Sequence, residues 1–599
     1  MLRRSLLQGV AALPLTPCFN AAVSAFAAQP RARVRPGDSE WPGPIQWAAL
    51  GKSVGGRLIK VESPFAACIE APQGAACADL FKSLHNSFFI GDNVALTQTL
   101  GWTDAWTSRA SEYAVLAETS EDVAAAVHFA RTHRLRLVVK GGGHSYLGGS
   151  SAPDSLLIWT KAMRAVELHD AFVPKGCEGQ AAPEPAVSVG AGAIWLDVYH
   201  EVTTKGGRLV VGGGCTTVGV AGLVQGGGFG VFSKGYGAAG ANLLEAEIVT
   251  ADGAVRVANA RLEPDLFWAI KGGGGGTFGV VTRLTLRTHV LPAYFGVVRA
   301  RVQATSDVAY RALVEQVMSF CRASTMNWHW GGEIAFRPRR LLAVDMQFQG
   351  LDQARAEEIW RPLFDRITAR PADYAFSEHS VSASPAVSFW DPRPGVIPDD
   401  RPGAPRGHFI WAGEAGQVGQ FLHAYQTTWL SRDLLEPERL PVLVDALVAA
   451  AATWGFSLQF SKGLAGAPAE PLAWTKDTPM NPAVLDAFAL AITGAGEPPA
   501  YPGIPGHEPN LAGGRRDAQV VRAAMAPLMA LSPRPAAYVS ESDYFQANWQ
   551  TAFWGEHYPR LLEVKRRYDP DGLFFVHHGV DSEAWSDDGF RRLSQARLS

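Results

Sequence analysis

Apolar and polar positions change their spacing several times between residues 113 and 159. Tyr113 to Ala117 is a short apolar run that predicts a strand. Thr119 and Asp122 then stand in the relation of a capping box, and Val123, Val127 and Ala130 recur at helical spacing. Leu137 to Val139 returns to a short apolar run, so the unit reads as strand, helix, strand, with Leu156 to Trp159 as the next strand. Ala246 to Thr250 and Val255 to Val257, joined through Ala251-Asp252-Gly253, predict a hairpin with an Asp-Gly turn. Val281, Leu284 and Leu286 mark one more strand with imperfect alternation. From about Leu291 helical spacing becomes common, at Val308 to Cys321 and Ala354 to Ile367. The stretch 29–44, rich in Pro, Arg and Gly, reads as a linker, and 382–406, rich in Pro, Ser and Arg, as loop. No internal repeat or low-complexity tract interrupts this order.

The strands lead into glycine clusters: KGGGHSYLGGSS from Lys140, GGGCTTVGVAGLVQGGGFG from Gly212, and DLFWAIKGGGGGTFGVVT from Asp265. Consecutive glycines are costly to order, so bare backbone is needed there, as it is where amides approach phosphate oxygens. Neither common phosphate pattern fits. A P-loop requires GK[ST] at its end, and a dinucleotide fingerprint requires G-x-G-x-x-G opening a helix. His144 sits inside the first cluster and Cys215 inside the second.

With 599 residues, 47% of them hydrophobic and 19% charged, the chain can build more than one core and is not disordered. A net charge of −3 gives no reason to expect nucleic acid or an anionic membrane as partner. The start, MLRRSLLQGVAALPLTP, reads as a twin-arginine export signal over residues 1–27, with Arg3-Arg4, an apolar run and Ala25-Phe26-Ala27 as cleavage site. No other apolar run reaches the roughly 20 residues of a membrane span. Export permits disulfides, and Cys68 with Cys77 is the expected pair. Cys177 and Cys321 either pair with each other or stay buried and free. No HExxH or CxxC spacing supports a metal site, and no G-x-S-x-G elbow supports a hydrolase.

The three clusters, together with YDPDGLFFVHHGV from Tyr568, resemble the berberine-bridge-enzyme-like branch of the vanillyl-alcohol-oxidase flavoproteins, closest to exported isoamyl-alcohol-oxidase-like proteins. The resemblance is strong over 110–290, good over 536–590 and loose between. It implies an α+β fold: a PCMH-type FAD-binding domain of two α/β subdomains (110–290), a substrate domain with a sheet covered by helices (291–535), and a C-terminal segment (536–599) returning to the FAD domain. Residues 28–109 form an N-terminal extension. It further implies bicovalent FAD, joined through its 8α-methyl to His144 and through C(6) to Cys215. Gly141, Gly142, Gly143, Ser145, Tyr146 and Gly148 would cradle the pyrophosphate side. Gly214, Val218, Gly219, Gly226, Gly227, Gly230 and Val281 would lie along the ring and ribityl chain. Val218 would stand beside C(4a), where oxygen approaches. One departure is Leu223, which takes the place of a histidine that in many members faces the polar edge of the flavin.

The activity implied is hydride transfer from an alcohol, a sugar or an aromatic alcohol to flavin N(5), with oxygen as the electron acceptor and a small molecule as substrate. A dehydrogenase or oxidative cyclase using another acceptor is the alternative. The base is sought in YVSESDYFQANWQ, where Tyr538, Glu541, Asp543 and Tyr544 are the candidates. Lys462 could lower the pKa of a tyrosine among them, and His577-His578 reads as a structural clasp near the cofactor.

Overall fold

The computed structural model describes residues 32–593, so the export signal expected over 1–27 lies outside the described residues. The chain builds three main sheets, and the cleft of interest lies where their loops meet.

The first sheet runs Leu58–Lys60, Tyr113–Leu116, Ser155–Trp159, Arg136–Lys140; its last three strands are parallel. Helix Ser120–Thr132 is the crossover between them. It starts where Thr119 Oγ1 accepts from the Asp122 amide at 3.2 Å while the Asp122 carboxylate accepts from the Thr119 amide at 3.1 Å. Val123, Ala126, Val127 and Ala130 are buried, the stripe that the spacing required.

The second sheet is antiparallel, in the order Val255–Asn259, Leu243–Val249, Val280–Val290, Glu184–Gly190, Val166–Phe172. Its hairpin turns through Ala251-Asp252-Gly253, with Gly253 at φ +81°. Gly253 takes the left-handed position that the Asp-Gly turn demands.

The third sheet has nine strands, beginning at the edge strand Tyr374–Pro385 and ending in the short pair Gly101–Trp102 and Trp106–Thr107. Helices Asp307–Phe320, Gln353–Thr368, Leu440–Thr453 and Leu511–Met529 pack about it, joined through a core that includes Val302, Leu313, Leu363, Leu447 and Met525.

Four expectations need correction or completion. The stretch 29–44 is not a free linker from residue 32 onward: Val34 bridges to Leu135, and the buried Arg33 guanidinium donates to the Leu573 carbonyl at 3.2 Å. The stretch 382–406 is loop only in part, because Tyr374–Pro385 is a strand paired along Tyr294–Ala304. As an edge strand most of its side chains meet solvent, so no hydrophobic alternation marks it. The segment before residue 109 contributes a strand to the first sheet and two short strands to the third. Cys177 and Cys321 are both free thiols, Cys321 buried, whereas Cys68 and Cys77 form the expected disulfide.

The C-terminal segment ties the first sheet to the third glycine cluster. Phe574 bridges to Leu137, and Arg136 donates to the Phe575 carbonyl at 2.9 Å. Lys565, buried, is paired with Asp569 at 2.6 Å and donates to the Thr277 carbonyl at 2.7 Å. A buried cation left unpaired would be costly, and here every neighbour is an acceptor.

Candidate active site

The first two glycine clusters cross each other backbone to backbone. A side chain on Gly142 would put its Cβ 2.6 Å from the Gly219 nitrogen and 3.0 Å from the Thr217 carbonyl; one on Gly219 would lie 2.7 Å from the Gly142 nitrogen. Only glycine fits on either side of this crossing. It brings His144 to the second cluster, where its Nε2 hydrogen-bonds Thr217 Oγ1 at 3.1 Å. With Nε2 engaged, Nδ1 is the ring nitrogen left for other chemistry. Burial lowers His144 to about 4, against the Thr217 hydrogen bond, so the imidazole is neutral at pH 7.

Between Gly142 and Tyr146 the backbone amides donate to no backbone carbonyl among the described residues. Gly143 adopts φ +77°, which turns successive amides toward one side. Such a run forms a nest for an anion, and the pyrophosphate of FAD fits the donor set. Ser145 Oγ accepts from the Gly149 amide at 3.0 Å, while Trp106 Nε1 holds the Tyr146 carbonyl at 3.0 Å, so the far end of the loop is fixed.

The other glycines divide into two kinds. A Cβ on Gly214 or on Gly222 would meet nothing within 4 Å, which leaves room for a flat ring beside Cys215. A Cβ on Gly226, Gly227 or Gly230 would instead strike Ser540, Met480 or the Gly212 carbonyl. Those three allow close packing within the protein. Gly141 stands against the Ala191 carbonyl, Gly148 against the Trp106 ring, and Val281 is buried in its strand. Val218 is partly exposed, and its carbonyl accepts from the Trp195 amide at 3.0 Å. Leu223 packs against Gly213 and Gly228.

Cys215 is partly exposed in the cleft, and the Glu414 carboxyl is among the charged groups that act on its thiol. Burial pushes the thiol well above its usual range, and the negative charge of Glu414 adds to this. Glu414 itself is pushed up to about 7 by burial. It comes from the turn Ala412–Gln417, which Trp411 fastens to the cysteine loop by donating Nε1–H to the Gly214 carbonyl at 3.0 Å. Gly212 to Gly214 also line a small apolar pocket with Tyr199, Phe232, Phe295, Phe389 and Trp390.

Of the four candidate bases, Glu541 enters this cleft. It is ion-paired to Lys462, and its charge is felt by Tyr146, Tyr425 and Cys215. Thr427 Oγ1 donates to the Glu541 carbonyl at 2.6 Å and fixes the turn that carries it. Tyr146 and Tyr425 pack against each other, with ring centroids 5.0 Å apart. Burial drives both phenols up and Glu541 adds to the rise, so both stay protonated and act as donors. The other three candidates are engaged elsewhere. Tyr538 is buried edge-on against Phe229 at 5.1 Å. Asp543 is buried and accepts from Gln426 Nε2 at 3.0 Å. Tyr544 stacks on His577 at 3.7 Å, and burial raises it to about 12. Lys462 does not lower a tyrosine: it is committed to Glu541, and burial pushes Tyr538 up. His577 holds the Tyr544 carbonyl at 2.8 Å and His578 stacks on Trp549 at 5.2 Å, so the pair serves as a clasp.

Glu414, Trp411 and Tyr425 were not singled out from the sequence. Tyr425, Thr427 and Trp429 share one face of the strand Phe421–Ser431 at period two, a signal present in AYQTTWL but silent about what that face covers. Glu414 stands in WAGEAGQ, where no periodicity exists, and only the folded strap brings it to the sulfur.

Comparison with known proteins agrees with this geometry. Residues 111–259 match the FAD binding domain family, and residues 537–581 match the family described as berberine and berberine like. The VAO-type flavoprotein oxidase VAO615 of Thermothelomyces thermophilus is 30% identical over 593 residues, covering 95% of this chain and 96% of that protein. The crystal structure of the VAO-type flavoprotein MtVAO615 from Myceliophthora thermophila superposes with a TM-score of 0.76 at 26% identity, covering 93% of this chain and 98% of that one. Glucooligosaccharide oxidase from Acremonium strictum, whose FAD is 6-S-cysteinyl and 8α-N1-histidyl, shares the fold with a TM-score of 0.60 at 18% identity, covering 87% of this chain and 99% of that one. The chain therefore belongs to the berberine-bridge-enzyme-like branch of the vanillyl-alcohol-oxidase family and is an FAD-linked oxidoreductase.

Proposed function

We propose that the protein is an exported oxidase that removes a hydride from the carbinol carbon of an alcohol, a sugar or an aromatic alcohol, with FAD held at His144 and Cys215 and oxygen reduced to hydrogen peroxide. The observation that carries this reading is the convergence of His144, Cys215 and Glu541 on one cleft from three distant parts of the chain. When bound, FAD would supply the hydride acceptor and pass on to oxygen the two electrons taken from the substrate.

The chain's own residues do the rest. His144, neutral and with Nε2 hydrogen-bonded to Thr217 Oγ1, leaves Nδ1 for the flavin. The amides from Gly142 to Tyr146, which donate to no backbone carbonyl among the described residues, would hold the pyrophosphate. Glu541 accepts the proton of the substrate hydroxyl, and Lys462 holds the carboxylate in orientation. Tyr146 and Tyr425, both protonated, donate to the substrate oxygen. Val218 leaves a narrow gap that suits oxygen better than a bulky acceptor. Export rests on Arg3-Arg4 and the apolar run behind them. No helix among the described residues is long and apolar enough to cross a membrane.

The test is anaerobic flavin bleaching against primary, benzylic and sugar alcohols, followed by admission of air. The apolar pocket beside Gly212 is the reason to include benzylic and long-chain substrates. Bleaching by one class and rapid recolouring with stoichiometric peroxide is the expected result. Bleaching without recolouring in air would instead favour the dehydrogenase or oxidative-cyclase alternative.

A further inference from the structure

Two carboxyls reach the cleft, and they are placed differently. Glu541 is paired with Lys462, whereas Glu414 rides on the strap that Trp411 fastens to the cysteine loop at Gly214. The strap bearing Glu414 is fastened on both sides: Trp411 Nε1 donates to the Gly214 carbonyl at 3.0 Å, and the Tyr146 hydroxyl approaches Gln417 Oε1 at 3.5 Å. The other ionisable groups acting on the sulfur are Lys462 and Glu541, and the phenols of Tyr146, Tyr425 and Tyr199 all feel the sulfur. A thiol must lose its proton to act as a nucleophile, and a buried thiol does not do so unaided. The strap brings one proton acceptor to the loop that carries that sulfur.

We propose that Glu414 is the proton acceptor for attachment of Cys215 to flavin C(6). The inference rests on the bicovalent reading above. The thiol proton passes to Glu414 as the sulfur–C(6) bond forms. The hydrogen on C(6) leaves as a proton, and the electron pair remains on the flavin, which is thereby reduced by two electrons. Dioxygen takes those electrons with two protons and leaves as hydrogen peroxide, restoring the oxidised ring. Burial, which raises Glu414 to about 7, matches it to a thiol better than an exposed carboxylate would be.

The experiment compares the full-length protein with its Glu414→Gln and Glu414→Asp variants by peptide mass after denaturation and digestion. Flavin on the His144 peptide reports that each variant folds and seats the cofactor. The expected result is flavin on both peptides in the unaltered protein, roughly tenfold or more less Cys215 attachment in Glu414→Gln, and an intermediate level in Glu414→Asp. Raising the pH to about 9.5 in air should speed the attachment in Glu414→Gln, because the thiolate fraction of even a buried thiol grows with each step in pH. Full attachment in Glu414→Gln at pH 7 would overturn the inference. So would a deficit that high pH does not repair, since a misplaced strap and not a missing acceptor would then be the cause. Flavin on His144 alone in the unaltered protein would overturn the bicovalent reading itself.

Discussion

In the mechanism proposed above, Glu541 and Lys462 divide a task that a lone carboxylate would do poorly. The turn from Tyr538 to Glu541, closed by a 3.0 Å hydrogen bond between the Glu541 amide and the Tyr538 carbonyl, aims the carboxylate at the cleft; the lysine keeps it there. Around it the two phenols are donors only, because burial and the nearby negative charge both oppose their ionisation. Glu541→Gln should therefore keep the flavin attached and lower the rate of anaerobic flavin reduction by about 10²- to 10⁴-fold, the usual range for a general base. Stopped-flow absorbance measures this directly. A variant that reduces its flavin at the original rate would move the base elsewhere in the cleft.

At the scale of elements, the decisive contact is the crossing of two loops at Gly142 and Gly219. Gly142→Ala would drive a methyl group into backbone, at 2.6 Å from the Gly219 nitrogen, with no flexible neighbour to yield. The expected cost is about 1–3 kcal/mol, and the loops must part to accept it. His144 would then lose Thr217, so the variant should bind little flavin and melt earlier; full flavin loading with an unchanged melting curve would contradict this. These loops were legible in the sequence because glycine runs and the histidine and cysteine within them are local features. The helix Ser120–Thr132 was legible for a similar reason, since its cap and its apolar stripe lie within one window. The nine-stranded sheet was much less so. Its strand Gly101–Trp102 has two residues, its edge strand Tyr374–Pro385 is mostly exposed, and neither carries a period of its own. Glu414 and Arg33 were illegible because tertiary packing alone assigns them partners.

Across the whole molecule, several histidines are held neutral, and this sets an acid limit. Burial, aided by Arg287, lowers His289 to about 4, while burial aided by His577 lowers His578 to about 3. In the unfolded chain both titrate near 6.5. Below that pH the unfolded state binds more protons than the folded one, so stability falls as pH drops from about 6.5 toward 4 and is unaffected by these groups above 6.5. Melting temperature against pH should show that slope, and His289→Gln should flatten part of it; an identical profile in the variant would remove His289 from the explanation. The same burial that makes these imidazoles neutral makes His144 a neutral nucleophile, placed one loop crossing away from Cys215. In the proposed function two side chains 71 positions apart in sequence hold one ring. Denaturing the purified protein, digesting it and weighing its peptides tests that directly. The expected product is one flavin mass joining the His144 peptide to the Cys215 peptide, and flavin released into the supernatant, with both peptides at their unmodified masses, would contradict it.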